Sequence, residues 1–406
     1  MSQHSSEITL LLAACRPEPD NRIDPLLQDL ADDIDWMMLI ETALKHGVAG
    51  LLCDNLLRTD PSLVPEQILD ASRVFLDQAA QSNQDAADQL SRILSALETA
   101  GIEAIPFKGP ALAISAYGRL ELRSFRDLDL LIRETQIQPC IDRLREAGYS
   151  HDWDLTQRQW QAFVEYGGQD ILSGPGLPIE PHWAFAPITM SWNIDYGALW
   201  NRAVKESLNG DTVLRLSPED ELTLLCTHGS KEKWTKLKWV ADVAWFIKRQ
   251  PEIDLSALFS RAESQGLARM VRAGLALAEL LLTTALPGVA REWIDKDPKA
   301  LQLAQKAAID LFDHPESGKS IYKLSRFHWN MRERPGDRWR YLYRTLTQPR
   351  TQHFQDISLP DSLFFLYTPY KIVHDYLLLP AWSRVKRPSK GADEAPNNPG
   401  DIDATG

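Results

Sequence analysis

Cysteine is scarce in this chain: four residues in 406, Cys15, Cys53, Cys140 and Cys226, widely spread and with no CxxC pair. That spacing excludes a zinc cluster and a disulfide framework, and reduced thiols in a cytoplasmic protein are expected. Basic charge is also short, 44 Lys and Arg against 56 Asp and Glu, for a formal net charge of -12. A protein that coats nucleic acid through its phosphates needs the opposite balance, so non-specific nucleic-acid binding is not expected, although a local basic cleft is compatible with the total. Long apolar runs are missing as well. The N-terminal run stops at Cys15 and lacks a basic n-region, too little for a signal peptide or a membrane span. The later stretch from Leu359 to Trp382 is interrupted by Pro369, Lys371, His374 and Asp375, and reads as packed helix or a peripheral surface segment. No transmembrane segment is expected.

What remains is ordinary for a globular protein, 44% hydrophobic and 25% charged, and long enough for two or three packed units. Residues 1–100 read as helical. Asp35 precedes the apolar run Trp36, Leu39, Ile40, Ala43 with Gly47 as a stop, and Leu90, Ile93, Leu94 and Leu97 recur at helical spacing up to Gly101. Over 101–215 the pattern becomes mixed. IEAIPF is a short strand, KGPALAISAYG opens a helix, DLDLLI alternates with period two, Ile137 to Ala147 is helical up to Gly148, and LPIEPHWAF follows a Gly/Pro-rich turn. From 216 to 386 helices return, opened by Ser217 as N-cap with Pro218, Glu219 and Asp220 behind it, and broken at Pro287, Pro335-Gly336 and Pro349. The tail 387–406 lacks large apolar residues and is expected to be disordered. The whole reads as α+β, a small mixed-sheet core flanked by N-terminal and C-terminal helical regions.

The chemistry concentrates in the core. On a strand, Asp127 and Asp129 share one face while Leu128 and Leu130 take the other. Two carboxylates a few ångströms apart repel, and a divalent cation between them resolves the conflict. Magnesium suits an oxygen-only site that also takes phosphates, with manganese as the alternative ion. The bland alternative is a strand terminus whose acids are solvated or paired with Arg123 and Arg126. Upstream, Lys108-Gly109 ends a strand and enters a helix, where free backbone N–H groups can receive phosphate oxygens, although a solvated turn is the commoner meaning of such a pair. Glu180 and His182, again two apart, offer a third carboxylate if their strand lies beside DLDLLI. Pro181 between them favours an edge or a bulge, and His182 beside Trp183 reads as a packed, hydrogen-bonded residue. His228, Lys231 and Trp234 follow at three-residue steps, a spacing that sets a cation and a ring on one helical flank for a phosphate and a base; the alternative is a helix surface with aromatic anchors. Asp242, four residues after Lys238, reads as its ion-pair partner.

Taken together, KGPALAISAYGRLELRSFRDLDLLI resembles the signature of the nucleotidyltransferase-like proteins of the polymerase β superfamily, in a poorly characterised bacterial group. Lys108, Gly109, Ala111, Leu112, Tyr117, Arg123, Asp127, Asp129, Leu130 and Leu131 occupy its positions. IEPHW resembles its acidic strand, and the segment with His228, Lys231, Trp234, Leu237, Trp239 and Asp242 its downstream helix. The chain departs from the wider superfamily in having Lys108-Gly109 where a glycine-serine or glycine-glycine pair is usual. The resemblance implies that an acceptor hydroxyl attacks the α-phosphate of a nucleoside triphosphate and pyrophosphate leaves. It implies Asp127, Asp129 and Glu180 as metal ligands, Lys108 and Gly109 at the β and γ phosphates, and Arg123 or Arg126 against charge on the leaving group. The acceptor, small molecule, peptide or protein, is not specified by any residue. A second reading is a catalytically inactive nucleotide sensor or scaffold of the same fold. A third is peripheral membrane association through Leu363 to Trp382 with Arg384, Lys386 and Arg387, for which little binding to anionic vesicles is expected.

Overall fold

The computed structural model describes residues 5–17, 23–30, 33–151, 153–313 and 323–378. The tail expected to be disordered, with Trp382, Arg384, Lys386 and Arg387, lies outside them. The described residues form an α+β structure. Asp35 caps the Trp36–Lys45 helix, its carboxylate accepting from the Met38 amide at 3.0 Å. Gly47, at a φ of 69°, supplies the left-handed stop. The 34-residue Glu66–Thr99 helix then turns Leu90, Ile93 and Leu97 inward.

A three-stranded sheet follows, in the order β1 (Ala104–Phe107), β2 (Leu128–Ile132), β3 (Ile179–His182). β1 runs antiparallel to β2, whereas β3 runs parallel to it. Alternation along β2 divides its side chains between two cores. Leu128, Leu130 and Ile132 pack with Leu97 and with Ile141 and Leu144 of the Ile137–Glu146 helix. Leu131 points the other way, into a cluster with Ile105, Phe107, Phe185 and Trp200. Asp129 shares that second face.

Pro181 sits in β3, an edge strand of this sheet. Its carbonyl accepts from the Asp170 amide at 3.0 Å, so the nitrogen side of Pro181 faces away from β2 and the missing N–H breaks no bond of the β2–β3 ladder. A two-stranded hairpin, β4 (Val204–Leu208) and β5 (Asp211–Arg215), was not anticipated. Its turn is Asn209-Gly210, with φ of 52° and 89°, the double left-handed geometry that matches strand twist.

The rest is helical, with Ser217 capping Pro218–Lys231 through its hydroxyl to the Asp220 amide at 3.3 Å. Pro287 precedes the Gly288–Asp295 helix, Pro335 opens Pro335–Thr347, and Pro349 separates that helix from Thr351–Asp356. No helix among the described residues is long and apolar enough to cross a membrane.

The expected flank of His228, Lys231 and Trp234 does not form. The helix ends at Lys231, and Lys233 and Trp234 take left-handed φ of 56° and 57°, folding the chain back so that the Trp234 amide donates to the Gly229 carbonyl at 2.8 Å. Trp234 is 1% exposed and packs on Gly229 and Gly274, so it anchors the helical core and offers no ring to a base. A Cβ on Gly229 would lie 2.3 Å from Trp234 Cζ3. Gly229→Ala is expected to cost about 2–3 kcal/mol of stability through overpacking, read as a lower urea midpoint with unchanged slope; an unchanged midpoint would contradict this packing.

Candidate functional site

The β2–β3 register sets Asp129 directly beside Glu180, and Leu131 beside His182. Parallel neighbours at one register position point to the same face, so the two carboxylates and the imidazole converge. Ligand atoms of Asp129, Glu180 and His182 all lie within 4.8 Å of one another. His182 Nε2 is 2.8 Å from Asp129 Oδ1 and 3.4 Å from Glu180 Oε2. The shorter contact is not aligned as a hydrogen bond, and Asp129 Oδ2 is buried without a partner. His182, expected to be packed and hydrogen-bonded, is packed, edge-on to Phe107 at 4.9 Å, with Nε2 held between the Asp129 and Glu180 carboxylates and Nδ1 buried without a hydrogen bond. Gln169 donates to Glu180 Oε2 at 2.8 Å and fixes that carboxylate.

Asp127 precedes β2 and is partly exposed, outside the tight trio. Burial, then repulsion from Asp129 and Glu180, pushes its carboxyl up to about 6 despite Lys108 and Lys238 nearby. Asp129 behaves oppositely. Burial would raise it, but Lys108 and His182 hold it well below the usual carboxylate range. Burial lowers the His182 imidazole, and the Asp129 and Glu180 carboxylates more than offset that, leaving it raised. Asp129, Glu180 and His182, with one Asp129 carboxylate oxygen left without a hydrogen bond, form a group of donors that fits a divalent cation, and Asp127 stands outside that trio.

Lys108 is not the solvated turn its sequence context favours. Its Nζ reaches Asp129 Oδ1 at 3.0 Å, with the side chain 16% exposed. Burial would lower the ammonium, but Asp129, Asp127 and Glu180 raise it. The turn that aims it is strained: Lys108 has φ 53° and ψ -146°, and Gly109 follows at φ 43°. A lysine held in that region costs about 1–3 kcal/mol, which the ion pair helps to offset.

A group of basic residues lies near the acids. His228 is buried, and burial together with Lys108, Lys231, Lys238 and Arg123 drives its imidazole well below the ordinary value, so it is neutral. Lys231 is buried with its Nζ 3.3 Å from Glu232 Oε1. Arg123 is not free to face a leaving group: it is 5% exposed and grips Asp242 through Nε at 2.8 Å and Nη2 at 3.0 Å. Tyr117 donates to the same Asp242 oxygen at 2.8 Å. Asp242 therefore pairs with Arg123 and Tyr117, and not with Lys238 as the four-residue spacing suggested. Arg126 is exposed and makes no ion pair among the described residues.

Lys238 is the residue that sequence reasoning missed. It is 9% exposed, and its Nζ makes no hydrogen bond or ion pair among the described residues. Burial, then Arg123 and Lys236, lowers its ammonium to about 8 against the pull of Asp242 and Asp127. Its stem crosses Gly47, where a Cβ would lie 2.8 Å from Lys238 Cδ. The glycine read as a helix stop thus also makes room for this lysine.

The profile of a family described as uncharacterised nucleotidyltransferase matches residues 32–283, more than half of the chain, and the chain belongs to that family. Nucleotidyl transfer is accordingly its general class of chemistry. Among solved structures it is similar to an antigenic nucleotidyltransferase-like protein from Paracoccidioides brasiliensis, at 14% identity over 57% of this chain and 92% of that one, with a TM-score of 0.28, too loose a likeness to carry an argument. No curated protein matches the chain.

Repulsion at Asp127 gives a test. A carboxyl raised in the folded state adds stability below its unfolded range, near 3.8, and that stability is lost as pH rises through about 6. Asp127→Asn should therefore stabilise the metal-free protein by about 1–3 kcal/mol at pH 8, have little effect near pH 4, and abolish stabilisation by added Mg²⁺. Thermal melts with and without Mg²⁺ check this; a variant less stable than the parent at pH 8 would contradict it.

Proposed function

We propose that this protein is a magnesium-dependent nucleotidyltransferase that moves a nucleoside monophosphate from a nucleoside triphosphate to an acceptor hydroxyl and releases pyrophosphate. The reading rests above all on one observation, the register that sets buried Asp129 beside Glu180 with Asp127 at the mouth of the same strand. Bound magnesium, or manganese in its place, would balance these carboxylates and polarise the phosphate oxygens.

The residues divide the remaining work. Asp127, Asp129 and Glu180 hold the cations. Lys108 and Gly109 at the strained turn, with Lys231 and Lys238, receive the β and γ phosphates. Neutral His228 donates a hydrogen bond there without adding charge. Glu180 is placed to orient the acceptor hydroxyl and take its proton. The bond from acceptor oxygen to the α-phosphorus forms as that from the α-phosphorus to the bridging oxygen breaks, and pyrophosphate departs toward the lysines. Arg123, neutralised by its pair with Asp242, positions the loop ahead of β2, and exposed Arg126 is the guanidinium left to meet the leaving group. In this scheme the 101–215 region brings the acids with Lys108 and Arg126, and the helical 216–386 region adds His228, Lys231 and Lys238. The acceptor is a small molecule, a peptide or a protein side chain.

A second reading, a nucleotide-binding sensor or scaffold without turnover, is favoured by the Lys108–Asp129 pair, which already gives the central carboxylate a counter-ion at 3.0 Å. The two separate in one assay. Incubating the protein with α-labelled triphosphates, Mg²⁺ and cell extract should transfer label to an acceptor, and Asp129→Asn should lower transfer by at least about 100-fold. Lys238→Met should lower kcat/KM for the triphosphate about tenfold while the protein still folds. Triphosphate binding without transfer in any extract would establish the sensor, and full transfer by Asp129→Asn would overturn the site.

A further inference from the structure

The C-terminal part of the described chain has its polarity reversed. In the Tyr367–Val373 helix and the turn after it, the charged residues face inward: Lys371 is 1% exposed and Asp375 5%. They close a buried network in which Asp375 meets Arg350 at 3.0 Å, His353 at 3.2 Å and Lys371 at 3.5 Å. Tyr367 packs inward on Phe354, but Ile372 and Val373, with Phe365 in the turn before this helix, face out, 39%, 43% and 67% exposed. The Pro335–Thr347 helix packs against this helix and exposes Trp339 at 64% and Tyr343 at 67%. Trp339, Tyr343 and Phe365 are the three large aromatic side chains exposed among the described residues, and all belong to this region. A solvated surface does not arrange itself so, because an outward apolar face with its charges inside is stable only when something covers it.

Charge indicates the cover. The protein as a whole carries -12, yet residues 323–350 hold eight Lys and Arg against only Glu333 and Asp337, a local surplus of six. Arg340 and Arg350 are paired with Asp337 and Asp375 and Arg332 is buried, but three others are held by carbonyl oxygens and not by carboxylates: Arg334 by Glu263 and Ser264, Arg338 by Arg332, and Arg344 by Ile188. Their positive charge is thus oriented but not cancelled. The sequence beyond residue 378 continues in the same character, with Leu379 and Trp382 followed by Arg384, Lys386 and Arg387.

We propose that this face, built on Trp339, Tyr343, Phe365, Ile372 and Val373 and bordered by arginine, is a docking surface for an anionic membrane. Aromatic and aliphatic side chains enter the headgroup boundary while the guanidinium groups meet lipid phosphates and carboxylates. Apolar insertion alone is marginal, and the local positive charge supplies the second signal that stable attachment requires. The acidic remainder of the protein is repelled by the same surface, which sets the molecule's orientation on it. The exposed face raises the expectation of weak vesicle binding drawn from sequence alone.

The test is flotation of the full-length protein with vesicles of phosphatidylcholine alone or mixed with phosphatidylserine. The mixed vesicles should carry at least about tenfold more protein, and the difference should shrink as salt rises. The triple variant Phe365→Ser/Ile372→Ser/Val373→Ser should lose at least about tenfold of that binding, as should Trp339→Ala/Tyr343→Ala, both while keeping the parent's circular dichroism spectrum. No enrichment on anionic vesicles, or full binding by both variants, overturns the proposal. So does a parent dimer in light scattering that the triple variant dissolves, which would assign the face to a second copy. Tight binding to single-stranded RNA, lost in the Trp339→Ala/Tyr343→Ala variant while vesicle binding is absent, would assign it to nucleic acid and equally overturn it.

Discussion

The structure depends on a register. β3 lies parallel to β2 with Glu180 opposite Asp129, and a slip of one residue would turn Glu180 and His182 to the opposite face of the sheet. That register is held from both sides. Leu128, Leu130, Ile132 and Ile179 demand the helical core beneath, and the 169–172 segment pairs with the outer edge of β3 through Asp170 and Leu172. Hydrophobic burial on one face thereby forces like charges together on the other. The fold places the acids, and the metal proposed for this site would answer a problem the fold creates.

The surrounding charges keep the site intact before any substrate arrives. Lys108 stands as counter-ion to Asp129 from a strained turn, and a metal or triphosphate that draws it away releases both the pair and its geometry. Behind it, the Arg123–Asp242 pair with Tyr117 ties the loop ahead of β2 to the Leu237–Arg249 helix, from which Lys238 points toward the acids. Asn83 of the long Glu66–Thr99 helix braces the same loop by donating to the Arg123 carbonyl at 3.1 Å. Breaking such a buried pair from one side costs about 3–5 kcal/mol, so Arg123 serves the site chiefly by fixing where other groups stand.

Local grammar made much of this legible. Period-two alternation identified β2, N-cap chemistry at Asp35 and Ser217 identified helix starts, and Pro181 correctly marked an edge strand. The hairpin at Asn209-Gly210 carries a clear turn signal, but its strands, largely exposed, have little apolar alternation to reveal them. Partnerships across the fold were harder. Asp242 lies four residues from Lys238 on one helix, but a guanidinium from a distant loop forms the bidentate pair, and bidentate geometry outweighs helical spacing. Trp234 left its expected flank because the helix ended first, a boundary that depends on the Gly229 and Gly274 pocket and not on local propensity. Lys238 was hidden for a related reason, since what sets it apart is a buried ammonium without an ion-pair partner among the described residues.

The most direct measurement is the position of a divalent cation in crystals grown with Mn²⁺ and a non-hydrolysable nucleoside triphosphate. The account predicts anomalous density between Asp127, Asp129 and Glu180, at oxygen distances of roughly 2 Å, with Lys108 withdrawn from Asp129 toward the phosphates. Density away from these carboxylates, with Lys108 still paired to Asp129 and the triphosphate elsewhere, would contradict it.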